Sequence, residues 1–299
     1  MQSAIALGMP DHLTVDGFRP MLEIARVADG IGINAITLPD HLAMTDNYAE
    51  YRERYCGNPG LDQQTRLLEP MVVLGAMAAV TKSITLGTSI ILSPLRPALV
   101  MAKQMAVLDY MCGGRTLFGL GAGWQKEEFD ACNMPWEGRH RHLIEQIQAF
   151  RVFWSQSPAS FHGEFINFDG LSSLPYPAQG KDVPLFLGLK ATDRNIQRMA
   201  ELGLGWMPMP TTAEVLAETM AKIKAAYRAA GRRESDLQVS VFCPIEMGPA
   251  GPDLDRTLAL VPQYAEMGVS ILNFGVTAFC RTLEDYPAIL ERIERAVKG

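Results

Sequence analysis

The stretch "GGRTLFGLGAGW", Gly113 to Trp124, sets five glycines around a short apolar run. Glycine weakens a strand interior, so its repeated use points to a left-handed backbone or to something that approaches the chain closely. A G-x-G-x-x-G dinucleotide loop would need a third glycine at position 124, where Trp124 stands, and no G-x-x-x-x-G-K-[ST] loop occurs. The stretch therefore reads as a strand whose end is stripped of side chains. By the two-residue period, Gly119, Gly121 and Gly123 share one face, either the interior of a barrel or the side that meets helices.

Working outward, "TLFGLGA" (116–122) is one of eight short apolar or β-branched runs, the others covering 4–9, 35–40, 84–91, 184–189, 203–209, 237–244 and 269–276. Helical patterns separate them, among them Phe18–Asp29, Pro70–Val80, Pro97–Met111, His140–Trp154, Ala213–Ala230 and Leu254–Met267, with Thr282–Val297 at the end. Eight nearly continuous apolar strands alternating with helices predict an α/β fold, a parallel (β/α)8 TIM barrel, rather than an open doubly wound sheet. One domain over residues 1–299 accounts for the whole chain. Two connections exceed ordinary loop length. The first, His41 to Glu69 after the second strand, emerges at the C-terminal mouth and is expected to form a lid. The second, Ser155 to Val183 between the fourth helix and the fifth strand, contains "FHGEFINFDG", which alternates like a small hairpin and is expected to be a structural cover.

Composition narrows the functions. A net charge of −6, with 27 basic residues in no dense run, argues against nucleic acid. No segment approaches the roughly 18 consecutive apolar residues of a membrane span, and the N-terminus lacks a basic leader region, so a cytoplasmic protein with no membrane association is expected. The five cysteines are scattered without a C-x-x-C pair, and His140 and His142, two apart, fall on different helix faces; reduced thiols and no metal are expected.

Gly188 in "PLFLGL" and Gly87, Thr88 and Ser89 in "ITLGTSII" add small residues to further strand ends. Together they suggest a planar ligand across the barrel mouth. The segments "PDH" (39–41), "LGTSIILSPLRPALVMAKQMAVLDYMCGGR" (86–115), "GLGAGWQKEEFDACNMPWEGRHRHLIE" (119–145), "FHGEFINFDG" (161–170) and "PLFLGLKATDRNIQRMAELGLGWMP" (184–208) resemble, in order, the luciferase-like monooxygenase family. The "GWxxEEF" and "LDxxxGGR" variants look most like its branch that uses the deazaflavin coenzyme F420, and FMN-using members share much of the pattern.

The resemblance implies a flavin-type ring at the mouth, over a bulge with a non-proline cis peptide that falls at Ser89–Ile90. It implies Asp40 as a polar anchor for the ring system and His41, the one histidine directly after a strand end, as the group nearest the hydride-accepting carbon. Gly121, Ala122, Gly123 and Trp124 would border the ring, and Gly188, Leu189, Lys190 and Ala191 its phosphate end. Two positions depart from the family pattern. Trp124 stands where some hydride-transferring relatives carry a glutamate, with Glu127 and Glu128 as either stand-ins or simple helix-dipole partners. Leu189 and Lys190 replace a second glycine and a small hydroxyl residue. The expected activity is hydride transfer between coenzyme F420 and a small-molecule substrate. The alternatives are an FMN-dependent monooxygenase that activates O2 and, from another class, a cofactor-binding barrel without turnover. A homodimer is expected. The lid, with Tyr48, Tyr51, Arg52, Arg54, Tyr55 and Arg66, would suit an aromatic or anionic compound or the acidic coenzyme tail.

Overall fold

The computed structural model describes residues 1–8, 11–14, 18–45 and 66–299. In chain order the strands are β1 (Gln2–Ala6), β2 (Ala35–Leu38), β3 (Thr85–Leu92), β4 (Thr116–Gly121), β5 (Ala159–His162), β6 (Asn167–Leu171), β7 (Leu185–Leu187), β8 (Gly205–Trp206), β9 (Ser240–Phe242), β10 (Met247–Gly248), β11 (Gly251–Pro252) and β12 (Ile271–Gly275). Eight of them form one sheet in the order β8-β7-β4-β3-β2-β1-β12-β9, and every pairing in it is parallel. A bridge between Trp206 and Val239 closes the ring, with the Trp206 N–H donating to the Gln238 carbonyl at 2.9 Å. This is the expected barrel, and each of its strands lies within or across one of the eight apolar runs.

Apart from β3, the strands are shorter than the runs that carry them. The run 203–209 supplies only two paired residues, Gly205 and Trp206, because it continues through Met207 into Pro208, which has no N–H to donate. Helix ends follow local chemistry. Glu69 caps the Pro70–Val80 helix by accepting from the Val72 N–H, with Pro70 at the first position. The pattern 254–267 yields two helices, Leu254–Leu258 and Val261–Glu266, the second with Pro262 in its first turn. Asp29 holds the entry to β3, accepting from the N–H groups of Lys82, Ser83 and Ile84 at 2.6, 2.9 and 2.7 Å. Burial works to raise its pKa, but the Ser83 hydroxyl and these three N–H groups hold it down at about 2.

Inside the barrel, Ala4, Ala35, Leu117, Phe186, Met207 and Ile271 form a packed layer with Ile90 against it, as a filled barrel core requires. A larger cluster joins the outer strand faces to the helices. The antiparallel β5–β6 hairpin confirms the alternation read in "FHGEFINFDG". It packs along the outside of the Arg139–Phe153 helix: Phe168 stacks on Phe153 at 4.2 Å, and Glu145 accepts from the N–H groups of Glu164, Phe165 and Ile166. Of the expected lid, residues 46–65, which include Tyr48, Tyr51, Arg52, Arg54 and Tyr55, lie outside the described residues. No helix among the described residues is long and apolar enough to cross a membrane.

Candidate active site

Parallel strands bring all their C-terminal ends to one mouth, and there β3 is irregular. Its register against β4 shifts between Thr88 and Ile91, and the Ser89–Ile90 peptide is cis. The shift presents the Ile90 side chain to the glycines of neighbouring strands. A Cβ built on Gly121 would overlap Ile90 Cδ1, one on Gly188 would stand 2.8 Å from Ile90 Cγ2, and one on Gly119 would stand 3.0 Å from it. These glycines therefore face the barrel interior, where Ile90 fills the space beside Gly121 and Gly188, and Met207 of the interior layer, with Ile90, fills that beside Gly119.

Two sequence expectations are corrected here. Gly123 does not share the face of Gly121, because β4 ends at Gly121. Gly123 takes a left-handed φ of +77°, and a Cβ there would lie 2.7 Å from Phe129 Cε2, so it serves a turn. Gly87 is not a mouth residue either: its missing side chain makes room for the Leu117 carbonyl and side chain of β4.

Asp40, just past β2, is fully buried and braces this bulge. Its Oδ2 accepts from the Leu92 N–H at 2.8 Å and from Arg96 Nη1 at 2.7 Å, and its Oδ1 accepts from Arg96 Nη2 at 2.9 Å. Such a two-pronged guanidinium–carboxylate pair is both strong and directional. Arg96 Nη2 also donates to Glu69 Oε1 at 2.9 Å. Burial acts to lower the Arg96 pKa, but the hydrogen bond and charge of Asp40, with those of Glu69, raise it above its ordinary value. Asp40 was expected to anchor a ring; both of its oxygens engage Arg96, and one also takes the β3 backbone. Arg96 and Glu69 were not singled out from the sequence. A lone basic residue in the apolar run "IILSPLRPALVM" was the available signal.

His41 comes immediately after. Its Nδ1 lies 2.9 Å from Glu128 Oε2, its ring packs edge-on against Trp124 at 4.8 Å, and its side chain is 11% exposed against 1% for Glu128. The other Glu128 oxygen accepts from the Leu42 and Ala43 N–H groups at 2.7 and 3.2 Å. Next to it, Gln125 accepts from the Thr45 N–H at 3.0 Å and donates to the Ala43 carbonyl at 2.9 Å. The Lys126–Ala131 helix thus clamps the chain leaving β2. A carboxylate that accepts two backbone N–H groups through one oxygen is set to accept from Nδ1 through the other. This network assigns the Nδ1–H tautomer, with Nε2 as the acceptor of the neutral ring. Glu128, one of the two acids weighed from the sequence, is the partner of His41.

The mouth holds a cavity of about 710 Å³ walled by the ends of β1, β2, β3, β9 and β12, including Ala6, Pro39, Ser89, Val241, Gly275 and the nearby Thr277. This volume is that of a small-molecule or cofactor site, with mostly apolar walls and few polar groups. Of the expected cofactor residues, only Ser89 lines it. Ala122 is buried, and Gly188 donates to the Leu120 carbonyl at 2.8 Å. Leu189 accepts from Trp206 Nε1 at 3.3 Å. Leu189 and Ala191 also pack on the core. Lys190 is exposed, and its carbonyl accepts from the Thr192 N–H and from Asn195 Nδ2, each at 2.9 Å. The loop thus leads into the Asp193–Leu202 helix, capped by Thr192.

Comparison with known proteins agrees with this architecture. A family model described as luciferase-like monooxygenase matches residues 3–264. An uncharacterized protein of Mycobacterium tuberculosis is 29% identical over 271 residues, 90% of each chain. The FMNH(2)-dependent dimethylsulfone monooxygenase of Pseudomonas putida is 33% identical over 162 residues, 53% of this chain and 43% of that protein. Among solved structures, an F420-dependent secondary alcohol dehydrogenase in complex with an F420–acetone adduct matches with a TM-score of 0.78 at 17% identity, covering 100% of this chain and 99% of that one. That last likeness is one of fold.

Proposed function

Because the chain belongs to the luciferase-like monooxygenase family, a family of flavin- or F420-dependent oxidoreductases and monooxygenases, we propose that it transfers hydride between coenzyme F420 and a small alcohol or carbonyl compound. The observation that carries this reading is the His41–Glu128 pair, with Nδ1 held 2.9 Å from the buried carboxylate. A hydride leaving or reaching a carbon that bears oxygen requires a proton to move at that oxygen, and an imidazole with a fixed tautomer is suited to accept and return it.

The residues at the mouth fit a flavin-type ring. The cavity has room for one, its lining is mostly apolar, with Phe242 and Met209 among smaller residues, and Ile90, next to the lining residue Ser89, is held against Gly121 and Gly188. When bound, the deazaflavin supplies a two-electron hydride donor or acceptor. With the ring bound, Ser89 and Pro39 would border it, Lys190 and the backbone after β7 would be the candidates for its charged tail, and His41, beside the mouth but not among the residues lining this cavity, would accept the hydroxyl proton through Nε2 in the oxidative direction and return it in the reductive one. The Gln125 and Glu128 contacts to residues 42–45 hold the chain beside His41 and limit the entry of water.

The relative named FMNH(2)-dependent dimethylsulfone monooxygenase supports a second reading, an FMN-linked monooxygenase. Titration of the purified protein with each cofactor, monitored by ring fluorescence, separates the two. F420 is expected to saturate at the lower concentration. Saturation by FMN at micromolar levels, without saturation by F420, would overturn the F420 assignment.

A homodimer is part of the same proposal. The Pro70–Val80 helix contains no polar side chain, and Val72 on it is 65% exposed, while Val100 and Met111 on the Ala98–Met111 helix are 47% and 62% exposed. An exposed apolar patch of this kind is suited to a second copy. Light scattering is expected to give twice the chain mass of 32.9 kDa, falling to one chain in Val72→Glu/Val100→Glu. A monomeric parent protein would refute this interface.

A further inference from the structure

At the opposite end of the barrel, beneath the N-terminal ends of β7, β8 and β9, lies a second cavity of about 680 Å³ whose charged lining is Arg151, Lys181, Asp182, Arg232, Arg233 and Asp236. Both acids are engaged at the exposed rim: Asp182 pairs with Lys181 at 2.9 Å and Asp236 with Arg233 at 2.8 Å. Two guanidinium groups remain without a carboxylate partner among the described residues.

Arg232 is fixed in place. Its Nε donates to the Ala200 carbonyl at 2.6 Å and its Nη2 to the Glu201 carbonyl at 3.0 Å, at the C-terminal end of the Asp193–Leu202 helix. Gly203, with a φ of +59°, leaves room for it, since a Cβ there would stand 2.5 Å from Nη1. Arg151, near the end of the Arg139–Phe153 helix, is half-buried, and its side chain makes no hydrogen bond or ion pair among the described residues. Burial and the positive charge of Arg232 push its pKa down from the ordinary guanidinium value, and the charge of nearby Asp182 offsets this only in part. A half-buried cation beside another cation is costly unless an anion joins them.

We propose that this cavity binds a compact polyanion, a pyrophosphate, phosphate ester or polycarboxylate, bridged between Arg151 and Arg232. The planar guanidinium suits such oxyanions because two parallel N–H groups can address two oxygens. Arg232, pre-positioned by the helix carbonyls, loses little freedom on binding, and Arg151 gains a direct anionic partner, which Asp182, paired with Lys181, does not provide. The site is separate from the mouth and does not depend on which cofactor the mouth takes.

Calorimetric titration with pyrophosphate, and separately with citrate, at constant ionic strength tests the proposal, with melting curves recorded in parallel. The expected result is one anion per chain and a raised melting temperature. Arg151→Met, which keeps the apolar stem, is expected to weaken binding about 10-fold or more and to melt at or above the parent protein in anion-free buffer, since it removes an unneutralised charge. Pyrophosphate binding without citrate binding assigns the site to phosphates, and the reverse assigns it to carboxylates. The proposal is overturned if neither anion binds beyond the ionic-strength control. It is equally overturned if Arg151→Met binds as the parent does, or if binding is lost in Lys190→Ala instead, which would place the anion at the mouth.

Discussion

Replacing His41 with alanine is expected to lower turnover by about 10²–10⁴-fold, the usual contribution of a positioned proton-transfer group, while leaving cofactor affinity nearly unchanged. The two effects separate because a group needed when a proton moves adds to rate and not to ring binding. Equal losses in binding and rate would make His41 a structural loop residue. Glu128→Gln is the companion variant. Its amide can still accept from Leu42 through one atom, but the atom facing His41 Nδ1 would then be a donor. That reverses the ring's hydrogen bonding, placing the proton on Nε2 and removing the acceptor from the reacting side, the logic by which a buried carboxylate orients a catalytic imidazole. Turnover should fall between that of the parent and that of His41→Ala, and the nitrogen resonances of His41 should report the other tautomer. An unchanged tautomer with unchanged turnover would remove Glu128 from its positioning role.

The architecture was largely legible in the sequence, because parallel strands buried on both faces read as unbroken apolar runs and barrel units repeat. Helix boundaries held where caps are local, as with Pro70–Val80, and failed where a proline divided a continuous pattern, as at Pro262. The glycines show how far periodicity reaches. Alternation correctly set Gly119 and Gly121 on one face but left open whether that face was interior, and it could not show what meets them, because Ile90 arrives from another strand through a register shift. Gly123 broke the pattern because the strand had already ended.

The candidate site was legible in parts. His41 stood out by its place after a strand. Its partner Glu128 is 87 residues away, and nothing in the first turn of a short helix distinguishes an acid that caps a dipole from one that reaches across to a neighbouring loop. Arg96 was hidden for a similar reason: only the fold brings it to Asp40, 56 residues earlier.

That pair carries the last prediction. Arg96→Met should destabilise the protein by about 3–5 kcal/mol, the range for removing one partner of a buried ion pair. The loss is large because Asp40 would keep its charge in a site where its side chain is 0% exposed, with only the Leu92 N–H left to satisfy it. Asp40→Asn/Arg96→Met should recover much of that loss: the amide oxygen can still accept from Leu92, and no uncompensated charge remains. The sign of this recovery distinguishes two accounts of the pair. If Arg96 acts mainly by packing its stem, the double variant will be no more stable than Arg96→Met, and the coupling measured by the cycle will be near zero. If charge pairing dominates, as its two-pronged geometry indicates, the double variant will melt well above the single one. The same melts, repeated with the bound cofactor, then report whether bracing the β3 bulge is also needed for the mouth: a double variant that is stable but binds weakly would mean that the guanidinium, and not only the fold it maintains, holds Ser89 and Ile90 in the geometry the ring requires.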